Sequence, residues 1–189
     1  ENGTPTAASS VTRRNAILAS VNYSYDARYN ADLTFRYDGS TAFGANNPYS
    51  PYYSVGASWN LEKERFMQRN KWIDMLRLRG NIGLTGNQNF NSYTSLSTYN
   101  YSRNHNHMGQ GVLLQTLGNP DLEWQSTLQT SLGMDAGFLK GRLSMQLNWY
   151  KKLTDPLVVA ISLPSSTGLS AYPFNAGSLT VEGAEFNIR

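Results

Sequence analysis

"VNYSYDARYNADLTFRYDGS", residues 21–40, holds two runs of alternation joined by a short break. In the first run Val21, Tyr23 and Tyr25 alternate with Asn22 and Ser24. In the second, Tyr29, Ala31, Leu33, Phe35 and Tyr37 alternate with Asn30, Asp32, Thr34 and Arg36. A period of two is the signature of a β-strand. The stretch therefore predicts a hairpin with one apolar, aromatic-ended face and one face that water can wet. The apolar face belongs either to the core of a soluble β-sandwich or against lipid, and the rest of the sequence bears on that choice.

The same pattern recurs along the chain. Strands are predicted near 14–25, 29–37, 53–61, 75–85, 123–137, 142–152 and 178–188. Tyr53, Val55, Ala57, Trp59 and Leu61 share one face of the third, and Leu143, Met145, Leu147 and Trp149 one face of the sixth. Gly183 in the last strand is expected to mark a bulge that shifts its register. "EKERFMQ" reads as a helical turn. The connections alternate in length: short after the first strand, long over "DGSTAFGANNPYSP", short again, longest over about 86–122, tight at "FLKG", and long over about 154–177.

The bulk numbers restrict the class. A chain of 189 residues is long enough for one domain with a real core. Charged residues are 15%, below the usual quarter of soluble domains. Mean hydropathy is −0.47 and no apolar run reaches the roughly 18 residues of a spanning helix, which excludes a helical membrane protein but not a membrane barrel. The net charge of +3 is spread out, without the basic patch that nucleic-acid binding needs. Absence of cysteine excludes a disulfide scaffold and a thiolate metal site. There is no initiator Met or signal peptide, and "VEGAEFNIR" ends inside a predicted strand, so the chain is expected to be a piece of something larger.

Alternation of short and long connections is the parity of a barrel with periplasmic turns at one rim and extracellular loops at the other. With the short turns below, Tyr23, Tyr25, Tyr29, Trp59 and Phe138 fall at the lower ends of their strands, and Tyr37, Tyr53, Trp124 and Trp149 at the upper ends. That is a double aromatic girdle. From Tyr29 to Tyr37 is roughly 26 Å along a strand and roughly 20 Å once tilted by about 40°, close to the apolar band of an outer-membrane barrel. The wet face carries Asp32, Arg36, Arg77, Arg79, Asn81, Glu123 and Asp135, and in a barrel it would line the lumen. A sandwich also alternates, with its wet face outward. Loop-length and aromatic parity favour the barrel.

Each motif has a plain structural reading beside the functional one. "DGS" (38–40) suits a chain reversal rather than a ligand. "LTGNQNFN" (84–91) lacks the Lys and following helix of a phosphate loop. His105 and His107 would face the same way in an extended segment, but without a third ligand they read as a solvated loop, and no metal site is expected. Glu62 and Glu64, and Asp121 and Glu123, sit at turns and strand ends, solvated or paired with Lys and Arg. Arg77 and Arg79 are expected to balance acids on adjacent strands. Rings in the long loops, Tyr49, Tyr52, Tyr93, Tyr99, Tyr101 and Tyr172, are the candidates for substrate contact, because exposed rings stack on sugars and peptides.

Several stretches resemble, in order, the barrel half of SusC/RagA-type TonB-dependent transporters of the Bacteroidota outer membrane. They are "RYDGSTAF" (36–43), "YYSVGASWNLEKERFM" (52–67), "LRLRGNIGLTGNQNFNSYTSLSTY" (76–99), "LGNPDLEWQSTLQTSLGMDAGFLKGRLSMQLNWYKK" (117–152) and "NAGSLTVEGAEFNI" (175–188). Gln125 stands where the family has Glu after the Trp, Val181-Glu182 where Asn is common, and Thr41 where a second Ser is usual. The resemblance implies an all-β fold, an antiparallel transmembrane barrel segment giving seven of about 22 strands, too few to close by themselves. Residues 1–189 would all belong to that one barrel domain, with the plug and N-terminal regions lying elsewhere, and acidic residues of the plug would be the other partners open to Arg77 and Arg79. It further implies nutrient import of glycan oligomers or peptides, a SusD-like surface lipoprotein on the long-loop rim, TonB contact through a missing N-terminal region, and neither cofactor nor catalytic residues. The alternatives are a soluble β-sandwich that binds carbohydrate and an enzyme borne on a barrel.

Overall fold

The computed structural model describes residues 11–41, 44–67, 72–87, 95–106 and 109–189. In chain order its strands are β1 (Arg14–Tyr25), β2 (Tyr29–Ser40), β3 (Tyr49–Asn60), β4 (Ile73–Asn87), β5 (Thr98–Asn106), β6 (Gly109–Thr116), β7 (Gln125–Phe138), β8 (Leu143–Thr154), β9 (Val158–Ser162), β10 (Ala171–Asn175) and β11 (Leu179–Ile188). Seven of them form one antiparallel sheet in the order β1-β2-β3-β4-β7-β8-β11, and these are the seven strands expected from the alternation. The other four make two separate hairpins, β5-β6 and β9-β10, inside the long upper connections. Among the described residues no helix is long and apolar enough to cross a membrane.

Register converts the one-strand pattern into a two-faced sheet. One row of directly opposed residues reads Val21, Leu33, Val55 and Ile82, and the next below it Tyr23, Ala31, Ala57, Gly80, Leu132, Trp149 and Ala184. The alternate rows are polar: Asn22, Asp32, Gly56, Asn81, Ser131, Tyr150 and Gly183. Leu33, Val55 and Leu147 on the apolar face are 50, 43 and 44% exposed, so among the described residues no second protein layer covers them. A sandwich would bury those positions in its core.

The rows also climb. In the row Tyr25, Tyr29, Trp59, Leu78, Met134, Leu147 and Phe186, the first two are strand ends. By contrast β4 runs on below Leu78 to Ile73, β7 below Met134 to Phe138, and β8 below Leu147 to Leu143. Such stagger accompanies the strand tilt of a barrel.

Short turns close the lower rim. The first is closed by Arg28 N donating to Tyr25 O at 2.9 Å, with Asp26 and Ala27 both at positive φ (51° and 49°). Leu139 and Lys140 repeat the device at φ 57° and 58° between β7 and β8. The expected helical turn after β3 is a single 3-10 turn, Leu61–Lys63. Gly183 does not mark a bulge: β11 pairs with β8 without a shift from Leu179–Thr154 to Ile188–Met145. It is instead a hollow, since a Cβ there would meet the Tyr150 hydroxyl at 2.7 Å. The irregularity in the sheet lies in β4, between Ile73 and Met75.

Candidate functional site

The polar face of the sheet is cross-linked from strand to strand. Ser24 donates to Asn30 Oδ1 (2.7 Å), and Asn30 Nδ2 donates to Ser58 Oγ (3.2 Å). Asn81 Nδ2 donates to Ser54 Oγ at 3.2 Å. Arg77 Nε donates to Asn60 Oδ1 at 2.8 Å. Arg79 reaches Asn148 Oδ1 at 2.6 Å and Asp135 Oδ1 at 3.4 Å, and Gln146 Nε2 also donates to Asp135. The expectation that Arg79 balances an acid on an adjacent strand is met by Asp135, while Arg77 is held by an amide.

Three glycines shape this face. Positions where a Cβ would stand at Gly56, Gly133 and Gly183 are taken by the Asp32 carboxylate, the Arg79 side chain and the Tyr150 hydroxyl. The larger residues thus lie flat across the neighbouring strand. A polar trough of about 490 Å³ runs over this region, lined by Asp32, Arg79, Asn81, Tyr150 and Lys152 among others. Higher up, a cavity of about 410 Å³ is lined by Arg14, Thr34, Arg36, Asp38, Tyr52 and Thr85, among others. There Arg36 grips the buried Asp38 through Nε (2.6 Å) and a terminal nitrogen (2.5 Å). Bidentate geometry fixes the guanidinium plane.

Above the sheet, Asn119–Trp124 is clasped on two sides. Gly44 N donates to Leu122 O and Asn46 N to Pro120 O, each at 3.3 Å. Asn46 Nδ2 donates to Asp121 Oδ1 at 2.5 Å, and Trp124 Nε1 to Asn47 O at 3.3 Å. From β10, Asn175 Oδ1 accepts Glu123 N (2.8 Å) and Pro173 O accepts Asn119 Nδ2 (3.1 Å). Leu122 (0% exposed), Trp124 (4%) and Tyr52 (6%) fill the middle, the two rings meeting edge-on at 5.8 Å. This clasp went unread in the sequence. Its signal was the density of Asn in 44–48 and of Asn and Asp in 119–124, residues whose side chains bond local backbone.

The aromatic positions divide. Tyr23, Tyr25, Tyr29, Tyr37 and Tyr53 stand exposed on the apolar face. Trp59 and Trp149 share their rows. Tyr29 and Trp59 stack at 6.0 Å, and both donate to Glu64, at 2.7 and 3.2 Å. Those bonds, Tyr29's first and Trp59's second, hold the Glu64 carboxyl below its ordinary range; burial opposes them, and the Arg28 charge adds a lesser pull in their direction. Trp124 is not a girdle residue: it is buried in the clasp. Of the rings expected in the loops, Tyr52 is a strand residue buried under Trp124, and Tyr49 stands on β3, stacked on Tyr37 at 5.4 Å. Neither is a free loop ring. Tyr99 and Tyr101 are exposed on β5, and Tyr172 is half-buried on β10. Tyr93 and His107 lie outside the described residues; the backbone of His105 pairs with Gln110. Among the described residues, three or more His, Cys, Asp or Glu nowhere gather as a metal site would require.

A single amphipathic antiparallel sheet, belted by aromatics, turned tightly below and looped at length above, is a membrane β-barrel wall. Residues 1–189 match the model of the family described as TonB dependent receptor-like, beta-barrel, and the chain belongs to that family. A TonB-dependent receptor of Formosa agariphila is 32% identical over 173 residues, covering 92% of this chain and 17% of that protein. The TonB-dependent receptor SusC of Bacteroides thetaiotaomicron is 30% identical over 175 residues, covering 89% and 17%. The structure of the RagAB peptide importer in its closed-closed state superposes with a TM-score of 0.86 at 28% identity, covering 93% of this chain and 19% of that one. The chain thus spans less than a fifth of the length of these relatives. Its place is the bacterial outer membrane, and relatives in Formosa and Bacteroides fit a Bacteroidota source.

Proposed function

We propose that residues 1–189 are one arc of a single barrel domain in a TonB-dependent importer of glycan oligomers or peptides. The plug and the TonB-contact segment belong to parts of the protein outside this chain. The polar face lines the lumen, with Asp32, Arg36, Arg77, Arg79 and Asn81 on its wall. A SusD-like surface lipoprotein sits on the upper rim, where β5-β6 and β9-β10 project and where Tyr99, Tyr101 and Tyr172 are the candidate substrate contacts. The barrel holds substrate without covalent chemistry, so it has no catalytic residue.

The observation that carries this reading is the sheet's pairing: apolar rows left open on one face, a hydrogen-bonded polar lattice on the other. The relatives lend the direction of the chemistry, since one is a SusC and another belongs to a peptide importer. The soluble sandwich is not favoured, because Leu33, Val55 and Leu147 lie open.

The test uses the full-length gene in its own host. Deletion should abolish growth on the oligosaccharide or peptide that the neighbouring lipoprotein binds, and inactivating TonB should reproduce that loss. Undiminished uptake of every tested oligosaccharide and peptide in the deletion strain would refute the proposal.

A further inference from the structure

Among the described residues, the apolar face carries charge within its pairing rows at one place, Lys151 on β8 opposite Glu182 on β11. Lys151 Nζ stands 3.8 Å from Glu182 Oε2, with side chains 50 and 52% exposed. The other carboxylate oxygen, Oε1, accepts Trp149 Nε1 at 3.2 Å. A charge at the bilayer midplane on such a face costs about 2–4 kcal/mol, and near the interface about 0–1. Depth therefore decides whether this pair is tolerable. Lys151 stands as far above Leu143, at the foot of β8, as Tyr37 stands above Tyr29, at the foot of β2. That places it roughly 20 Å above the lower rim, level with the upper aromatic belt. Its ammonium is at headgroup height.

The ammonium has three donors and Glu182 engages it loosely, so donors remain for an anion. A tail seat lies below. An apolar groove of about 420 Å³ opens on the same face, lined by Tyr23, Ala31, Ala57, Trp59, Gly80 and Leu132, among others. Leu132 at its upper end is the cross-strand partner of Trp149. Groove, Trp149 and Lys151 thus form one descending track, polar at the top and apolar below.

We propose that this track is a binding site for an anionic membrane lipid of the outer leaflet, its net-negative headgroup on Lys151 and an acyl chain in the groove over Ala57 and Gly80. Trp149 fixes the Glu182 carboxylate beside the ammonium, and that carboxylate limits affinity by repelling the anionic headgroup.

The test places the full-length protein in nanodiscs of phosphatidylcholine, alone or mixed with phosphatidylglycerol, and reads the Tm increment that the anionic lipid gives. Lys151→Gln should lose that increment, whereas Lys152→Gln, one residue along and facing the lumen, should keep it. Glu182→Gln should enlarge it. Ala57→Phe, which fills the groove, should reduce it while leaving the phosphatidylcholine Tm near that of the native protein. Equal increments in Lys151→Gln and Lys152→Gln would overturn the proposal. So would the absence of any increment in the native protein, or the same increment from inorganic phosphate alone.

Discussion

Tyr29 and Trp59 stack across β2 and β3 and both turn their polar atoms to Glu64 in the turn below. An aromatic at a membrane boundary wants its body in the apolar region and its polar tip in water. Glu64 offers that tip a fixed acceptor. Its folded carboxyl titrates below the ordinary 4.5, so the stabilisation is complete above about that pH. It is lost as pH falls through the depressed folded value. Acidification below 4.5 should therefore lower the Tm of the native protein more than that of Glu64→Gln, the comparison being made by a thermal melt in detergent at each pH. A second residue-scale expectation concerns Gly86, where a Cβ would run into the Tyr52 ring and hydroxyl. Gly86→Ala should cost about 1–3 kcal/mol by overpacking, visible as a lower Tm. The Tyr52–Trp124 contact was not legible beforehand. Tyr52 alternates correctly with Tyr53, but Trp124 reaches it from a segment 72 residues further along, a distance at which periodicity carries no information.

At the scale of elements, the seven sheet strands were readable because each exposes one apolar and one polar face at period two. The loop hairpins were not. β9 and β10 are five residues each with a proline inside one of them, and the β5 sequence "TYNYSRNHN" has no large apolar residue on its second face. Turns offer a direct test. Asp26 and Ala27 both adopt positive φ, where Asp is tolerated and Ala is strained. Ala27→Gly should stabilise the full-length protein by about 1 kcal/mol, with a higher Tm and unchanged uptake. The clasp gives the opposite sign. At Gly44 a Cβ would strike the Pro120 carbonyl, which is backbone and cannot swing aside. Gly44→Ala should loosen Asn119–Trp124 and speed proteolysis within the upper loops while the strands stay protected.

For the molecule as a whole, the two faces of the sheet should answer differently to the same substitution. Leu33 stands midway between the two aromatic belts on the apolar face, and Thr34 beside it points to the polar face. Leu33→Lys should cost about 2–4 kcal/mol in lipid, and Thr34→Lys far less. A reversibly folded full-length protein in vesicles would show the difference in its unfolding midpoint. The barrel itself was legible from connection lengths and belted aromatics; the polar lattice was not, because its bonds join residues whose register no single strand reveals.

The hollows at Gly56, Gly133 and Gly183 have a mechanical consequence. Residues as bulky as Arg79 and Tyr150 would otherwise stud the polar face like cobbles. Bedded into a neighbour's missing methyl, they leave an open trough rich in donors and acceptors rather than a row of projecting side chains. On the proposed reading of this face as a lumen wall, friction against it is set by exchange of hydrogen bonds rather than by steric snagging.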